Sequence, residues 1–387
     1  ASERVGLSHS RRRVLAEEVR ADRDQPPFDR STRDGFALRA DDAGPFKIVG
    51  QVRAGEVWQG PALEAGRAIE IMTGAPIPAG ASAVVMVEHV ERSDDALCFA
   101  TGRTMKRGEN IVPRAAEGRA GEIVLAAGTA MEAAEIALAA ACGYPELSVF
   151  VRPKIAIIAT GDELVEVAET PEPWQIRNSN SYALKAMVES AGGSGTRLPV
   201  ARDIREDVRD RISQGRMGNL MVFSGGVSMG EYDLVEEVLA EFNAEFFFTG
   251  VRMQPGKPVV FGRLPERLEG QGAGPACYFF GLPGNPISTQ VTFHCFVEPL
   301  LRAMAGAPVS APRFVQATLA EAVEGKPGLT RVLPASLKYD RVKPEVRVVG
   351  WQGSGDQGAN ARANCYAVLP SEQQRFAAGD VITVLLR

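Results

Sequence analysis

The stretch Asn219 to Lys257, NLMVFSGGVSMGEYDLVEEVLAEFNAEFFFTGVRMQPGK, decides the reading of the whole chain. An apolar run, Leu220 to Phe223, halts at Ser224-Gly225-Gly226, and a helical pattern starts near Glu231. A strand that ends in a tight glycine turn and opens a helix is the arrangement at which open α/β sheets bind ligands. Glycine lets the backbone come close to an anionic group, unpaired N–H groups at the helix start can donate to it, and the helix dipole favours negative charge there. Asp233, just inside this helix, is placed to cap it or to hold a divalent cation. The next strand ends in MQPGKP, where Lys257 supplies a mobile cation. The plainer alternative for either fragment is a strand-turn-helix with a surface lysine.

Outward from this stretch the pattern alternates, with strands over 154–160, 195–201, 219–224 and 245–251 and helices over 179–192, 204–213 and 231–242. Buried strands interleaved with helices imply an α/β domain, residues 152–307, with a mostly parallel sheet covered on both faces. Three loops are then expected on one rim: TGDEL with Asp162 and Glu163, SGGVSMGEYD, and LPGNP, which opens a helix running to about Met304. Beyond residue 308 short strands return (FVQATLAEAV, RVLPASLKY, EVRVVG, YAVLP, DVITVLL) around the glycine-rich loop QGSGDQGANARAN, so 308–387 read as a small all-β, barrel-like domain. Upstream, residues 9–20 (HSRRRVLAEEVR) carry a helical pattern and 131–141 another. Apolar runs punctuated by glycine and proline make 44–126 a β-rich insertion, with 1–43 and 127–151 forming the helical and linker part of an N-terminal region ending at 151.

Composition limits the functional classes. A chain of 387 residues with 45% hydrophobic content builds sizeable cores, and a net charge of -5 with both signs interspersed argues against a nucleic-acid partner. No apolar stretch reaches membrane-spanning length, so no membrane partner is expected and the cytoplasm is the expected compartment. Cys98, Cys142, Cys277, Cys295 and Cys365 are scattered without CxxC spacing, and His9, His89 and His294 lie far apart, so a zinc site is not indicated.

Singly the motifs are weak, but their order is specific. DGFA, IMTGAP, ATGDEL, IRNSN, SGGVSMGEYD, MQPGKP and GLPGNP follow one another as in the molybdopterin molybdenumtransferases, the bacterial enzymes similar to the E domain of gephyrin, and the resemblance covers nearly the whole chain. It implies an enzyme that inserts molybdate into adenylylated molybdopterin and releases AMP, uses Mg²⁺, and works as a homodimer with a shared active site. The residues agree with such a substrate: a pyrophosphate needs donor-rich loops and a cation, and magnesium suits a rim with one or two carboxylates. A binding protein without turnover and a gephyrin-like scaffold are the alternatives.

Carried over by motif, the resemblance places Asp34 and Thr73 at the active site from the partner subunit. It makes Glu163, Asp203 and Asp233 the acidic positions, with Glu163 and Asp233 as the magnesium ligands. Gly225, Gly226, Ser228, Gly230 and Asn178 fall among the binding residues, as do Pro283, Gly284, Asn285 and Pro286. Lys257 and Pro258 match an oxyanion-binding segment to which Arg331 contributes. The chain departs from the pattern at Gln254, where many relatives have lysine; Arg252, two residues earlier on the same face of an extended strand, is a candidate replacement. Asn178 and Glu117 stand where others have aspartate, and Ala359 where a serine often helps hold the oxyanion.

Overall fold

The computed structural model describes residues 1–226, 234–266, 274–309, 311–339 and 343–387. The chain divides into two compact units, Arg4–Arg11 with Leu15–Ser148, and Ala1–Glu3 with Arg12–Val14 and Val149–Arg387.

The larger unit is built on an α/β sheet. Its elements are β1 (Lys154–Ala159), α1 (Asn180–Ser190), β2 (Ser194–Arg197), α2 (Arg205–Gly215), β3 (Leu220–Ser224), α3 (Leu234–Glu241), β4 (Glu245–Phe248), β5 (Val260–Leu264), β6 (Cys277–Leu282) and α4 (Pro286–Thr292). Successive residues of a strand point to opposite faces, so a strand covered on both sides must be apolar throughout. In β1 and β3, Ala156, Ile158, Met221 and Phe223 pack with Val208 and Ile212 of α2 and with Val235, Val238 and Leu239 of α3. Their neighbours Ile155, Ile157, Leu220 and Val222 pack on the other face with Leu184 and Val188 of α1. Each large side chain buried this way is worth about 1.5–3 kcal/mol.

The strand order is β2-β1-β3-β6-β5-β4, with β2, β1, β3 and β6 parallel. The sequence pattern set the 245–251 strand among the parallel ones. Instead β5 runs antiparallel to β6, and β4 runs antiparallel to β5 at the sheet edge. The chain leaves the sheet after β4, lends Met253–Gln254 to the C-terminal domain, and returns as β5. After α4 the helix continues through a π-helical turn, Phe293–Val297, into Glu298–Met304, as the pattern to Met304 implied.

The C-terminal strands Thr330–Tyr339, Pro344–Val348, Phe314–Leu319, Val381–Leu386 and Cys365–Leu369 pair in that order. A further pairing of the first with the last closes a five-stranded barrel. Within the expected glycine-rich loop, Gln357–Arg362 form a short helix, because Asp356 caps it by accepting the Ala359 N–H at 2.9 Å. Met253, Ile287, Val291, Val332, Tyr366 and Leu385 form one apolar cluster that welds the barrel to the α/β domain.

In the smaller unit, six strands pair in the order Ala83–Met86, Gly35–Leu38, Arg67–Ile71, Phe46–Val52, Ala96–Phe99, Val90–Ser93. The helix expected over 131–141 forms at Ala133–Ala141. The one expected over 9–20 does not: this segment holds only the end of a 3-10 turn, Leu7–His9, and the short strand Val19–Arg20. Its amides bond elsewhere. Leu15 N–H donates to Thr129 O at 2.9 Å and Ala16 N–H to Ser148 O at 3.0 Å, so tertiary pairing overrides the helical spacing of Val14, Leu15 and Val19. Arg12 at φ 59° breaks any helix there.

Candidate functional site

A cleft of about 1320 Å³ opens at the carboxyl ends of the parallel strands. Thr160, Gly161 and Glu163 reach it from the loop after β1, Asp203 from the loop after β2, Arg205 from the start of α2, and Gly225 and Gly226 from the turn after β3. Pro283, Gly284, Asn285 and Pro286 follow β6, Asn178, Ser179 and Asn180 open α1, and Pro258 precedes β5. The loops after β1, β3 and β6 therefore share one rim, as the alternation of elements implied. Ser228, Gly230 and Asp233 lie outside the described residues.

The rim is stitched by polar contacts. Asn180 Nδ2 donates to Ser224 Oγ at 2.9 Å and to Gly284 O at 2.7 Å, tying the β3 turn to the PGNP loop. Gly225 N–H donates to Leu282 O at 3.1 Å and Thr160 N–H to Ser224 O at 3.2 Å. Gly225 and Gly226 have φ of 93° and 66°, a region other residues enter only with strain. The Thr160 hydroxyl, beside both glycines, is buried with no hydrogen-bond partner among the described residues. The barrel contributes Gly355 and Gln357, and Gln357 Nε2 donates to Ser179 Oγ at 2.9 Å. Sequence reasoning did not single out Thr160, Asn180, Ser224 or Gln357. The N-terminal position of Asn180 on a helix opening at the rim was the one available signal.

Asn178 lines the cleft but is 2% exposed, and its side chain is already engaged. Its Oδ1 accepts the Ser181 N–H at 3.3 Å, and its Nδ2 donates to Glu166 Oε1 at 3.4 Å. Glu166 also accepts from Arg197 Nη2 at 2.8 and 3.0 Å and from Tyr182 Oη at 3.2 Å, while the Arg197 guanidinium stacks 3.5 Å from the Tyr182 ring centroid. Burial opposes the Glu166 charge, but the hydrogen bonds and charge of Arg197, with help from Asn178 and Tyr182, hold its carboxyl below the usual glutamate value of 4.5. A carboxyl lowered in the folded state adds stability above its unfolded value, and that contribution is lost as pH falls through the lowered one. Arg197→Met is therefore expected to cost about 1 kcal/mol at pH 7, since Glu166 is partly exposed, or roughly 2–4 °C of melting temperature. Thermal melts from pH 7 to pH 3 should show the gap to wild type closing below pH 4.5; a constant gap sinks the assignment.

Of the acidic positions, Glu163 and Asp203 line the cleft, and the Glu163 carboxylate folds over Gly161, taking the space a side chain there would fill. Asp162 Oδ1 accepts the Asp203 N–H at 3.2 Å and so fixes the two loops together. Among the described residues no three His, Cys, Asp or Glu side chains gather as a metal cluster.

Lys257, Arg252 and Arg331 do not line the cleft, although Pro258 beside Lys257 does. Lys257 O accepts N–H groups of Val251 and Val259, each at 3.0 Å, which pins the backbone of the segment while the side chain stays exposed. Gln254 pairs with Arg331 in the strand register. Arg331 Nη1 donates to Glu324 O at 2.6 Å, and its buried Nε has no partner among the described residues. Ala359 is fully buried on the short helix.

Asp34 and Thr73 belong to the other unit. The antiparallel register Gly35↔Ile71 brings them together, and Thr73 donates its N–H at 2.6 Å and its hydroxyl at 2.8 Å to Asp34 Oδ1. Those two bonds, the backbone one first, hold the Asp34 carboxyl below the aspartate value of 3.8. Gly35 is obligatory beside it, because a Cβ there would lie 1.8 Å from Val85 O.

Residues 1–143 match the MoeA N-terminal region (domain I and II), 156–303 a probable molybdopterin binding domain, and 316–386 the MoeA C-terminal region (domain IV). Across 391 residues, 99% of this chain and 90% of the relative, the sequence is 33% identical to a molybdopterin molybdenumtransferase of Staphylococcus epidermidis. A molybdopterin molybdenumtransferase of Staphylococcus aureus (strain COL) is 32% identical over 394 residues, again 99% of this chain and 90% of the relative. The crystal structure of a molybdopterin biosynthesis MoeA protein from Pyrococcus horikoshii OT3 superposes with a TM-score of 0.79 at 28% identity, covering 100% of this chain and 95% of that one. With three regions matched in order and relatives aligned from end to end, the chain belongs to the molybdopterin molybdenumtransferase family.

Proposed function

We propose that the chain inserts molybdate into adenylylated molybdopterin and releases AMP, in biosynthesis of the molybdenum cofactor. The observation that carries this reading is the cleft at the carboxyl ends of the parallel strands, assembled from the family's motifs and large enough for a pterin joined to a nucleotide. Gly225 and Gly226 let a phosphate approach the backbone, and the loop ending in Asn285 presents the start of α4 to it. Asn180 holds two of these loops at a fixed distance, so the phosphates meet a preformed wall.

Magnesium fits this rim. It asks for one or two carboxylates, with waters and phosphate oxygens completing its shell, and Glu163 and Asp203 are exposed carboxylates on the same cleft. Asp233, by its place in the motif, is the further candidate. When bound, the ion neutralises negative charge on the pyrophosphate. Molybdate is the second substrate, and Lys257, next to the cleft residue Pro258, is the cation proposed to hold it, with Arg252 and Arg331 as further candidates. The test is reconstitution with purified chain, molybdopterin-AMP, molybdate and Mg²⁺. AMP release coupled to molybdenum incorporation is expected; tight pterin binding without AMP release would leave a binding protein instead.

The reading includes a homodimer in which Asp34 and Thr73 of one subunit complete the cleft of the other. No helix among the described residues is long and apolar enough to cross a membrane. Asp34→Asn and Glu163→Gln chains, each inactive alone, should regain activity when mixed, because one cleft of each mixed dimer is then intact at both positions. Random mixing should restore roughly a quarter of wild-type AMP release. Verified mixed dimers that stay inactive would refute the shared site.

A further inference from the structure

Of the chain's tryptophans, Trp58 fills the space beside Gly50 and Gly60 and donates to Pro61 O at 2.9 Å, and Trp351 packs against the barrel core. Trp174 is different. It is 63% exposed and has no ring, cation–π or hydrogen-bond partner among the described residues. It sits at the tip of a tight turn in which Gln175 N–H donates to Glu172 O at 2.9 Å and Gln175 Oε1 accepts the Glu172 N–H at 3.0 Å. Pro173 takes the position of this turn that a fixed φ suits, and Trp174 the next. The turn is thus ordered before anything binds, at a place where a large apolar surface faces water.

The turn belongs to the cleft. Pro171 before it and Ile176 after it both line the cavity, and Ile176 N–H donates to Glu163 O at 2.8 Å, so the tip stands on the loop that carries the rim carboxylate. No Phe, Tyr, Trp or His lines the cavity among the described residues. A ligand with two fused heteroaromatic rings would meet backbone, carboxylates, amides, aliphatic side chains and the arginines Arg177 and Arg205 there, and no aromatic face.

We propose that Trp174 is a stacking platform for a heteroaromatic ring of the ligand, the purine of the nucleotide, held at the mouth of the cleft by the Glu172–Gln175 turn. The proposal rests on the nucleotide reading of the cleft and adds the surface that recognises the base. Indole and purine are both flat and polarisable, and their stacking excludes water from both faces without requiring a base-specific hydrogen bond. Such a platform accounts for an exposed tryptophan on a rigid turn beside an otherwise non-aromatic pocket.

Titration calorimetry of the full chain with AMP and with ribose 5-phosphate tests it. Trp174→Ala should weaken AMP binding roughly tenfold and leave ribose 5-phosphate within twofold, while Trp174→Phe should keep most of the AMP affinity. AMP should also quench the wild-type tryptophan fluorescence, and Trp174→Phe should abolish that quench. Equal losses for AMP and ribose 5-phosphate would make the residue structural and overturn the proposal, as would AMP affinity within twofold of wild type. An altered subunit equilibrium with unchanged AMP affinity would overturn it too, by placing the indole under a second copy of the chain. Wild-type chain that binds neither AMP nor molybdopterin-AMP would sink the nucleotide reading itself, and is recognised without any variant.

Discussion

Gly225→Ala is expected to lower AMP release roughly 100-fold or more, whereas Gly284→Ala on the facing loop leaves it within a few fold. The two glycines look alike in sequence, each in a short motif at the end of a strand. Gly225 has φ 93°, and a Cβ there would lie 2.8 Å from Thr160 O, an atom of the backbone at the end of β1. That backbone cannot yield freely, because Thr160 N–H is bonded to Ser224 O and Gly225 N–H to Leu282 O. A left-handed alanine costs about 1–2 kcal/mol, and the collision adds to it by forcing β1 and β3 apart where the cleft begins. Gly284 is open to a methyl: its Cβ would come no closer than 3.6 Å, to Gly225 Cα. Melting temperature should separate the pair as well, with a fall of roughly 5–10 °C for Gly225→Ala. An active Gly225→Ala enzyme that melts with the wild type would mean that the turn is not the wall of the site.

That contrast marks where the sequence stops being legible. Unbroken burial of Ile155 to Ala159 and Leu220 to Phe223 is written in continuous apolar runs, so the sheet, its flanking helices and the shared rim could be read directly. The segment 9–20 could not, because its helical spacing says nothing about Thr129 and Ser148, which hold its amides. Within IRNSN the motif points to the right turn of chain, yet the division of labour depends on helix phase. Asn178 is turned inward to Ser181 and Glu166, while Asn180 spans Ser224 and Gly284. The short helix from Gln357 is hidden for a similar reason: it exists because Asp356 accepts one amide, inside a run whose glycines read as loop.

The largest effect outside the cleft wall is expected at Lys257. Molybdate is a dianion, and holding it beside a dithiolene and a phosphate gathers negative charge that a nearby cation must offset. Lys257 forms no ion pair among the described residues, and its backbone is fixed by the two bonds to its carbonyl, so its side chain is free to serve an incoming anion. Arg252 stands differently. Its charge already acts on Glu372, whose carboxyl is lowered first by the Ser371 hydroxyl, then by its own backbone, and last by Arg252. Arg331 lies opposite Gln254 in the register with one guanidinium nitrogen unpartnered, which leaves it better placed than Arg252 to cover for the lysine that Gln254 replaces. Lys257→Ala should therefore raise the molybdate requirement for AMP release by tenfold to more than a hundredfold, the loss of one charge-assisted contact of about 1.5–3 kcal/mol. Arg331→Ala should follow, Arg252→Ala should move it least, and molybdopterin-AMP affinity should hold throughout. Gln254→Lys supplies the opposite perturbation, and tighter molybdate binding in that variant would mean that the segment is short of positive charge. A molybdate titration of the four variants ranks them, and an unaffected Lys257→Ala enzyme would move the oxyanion site away from this segment.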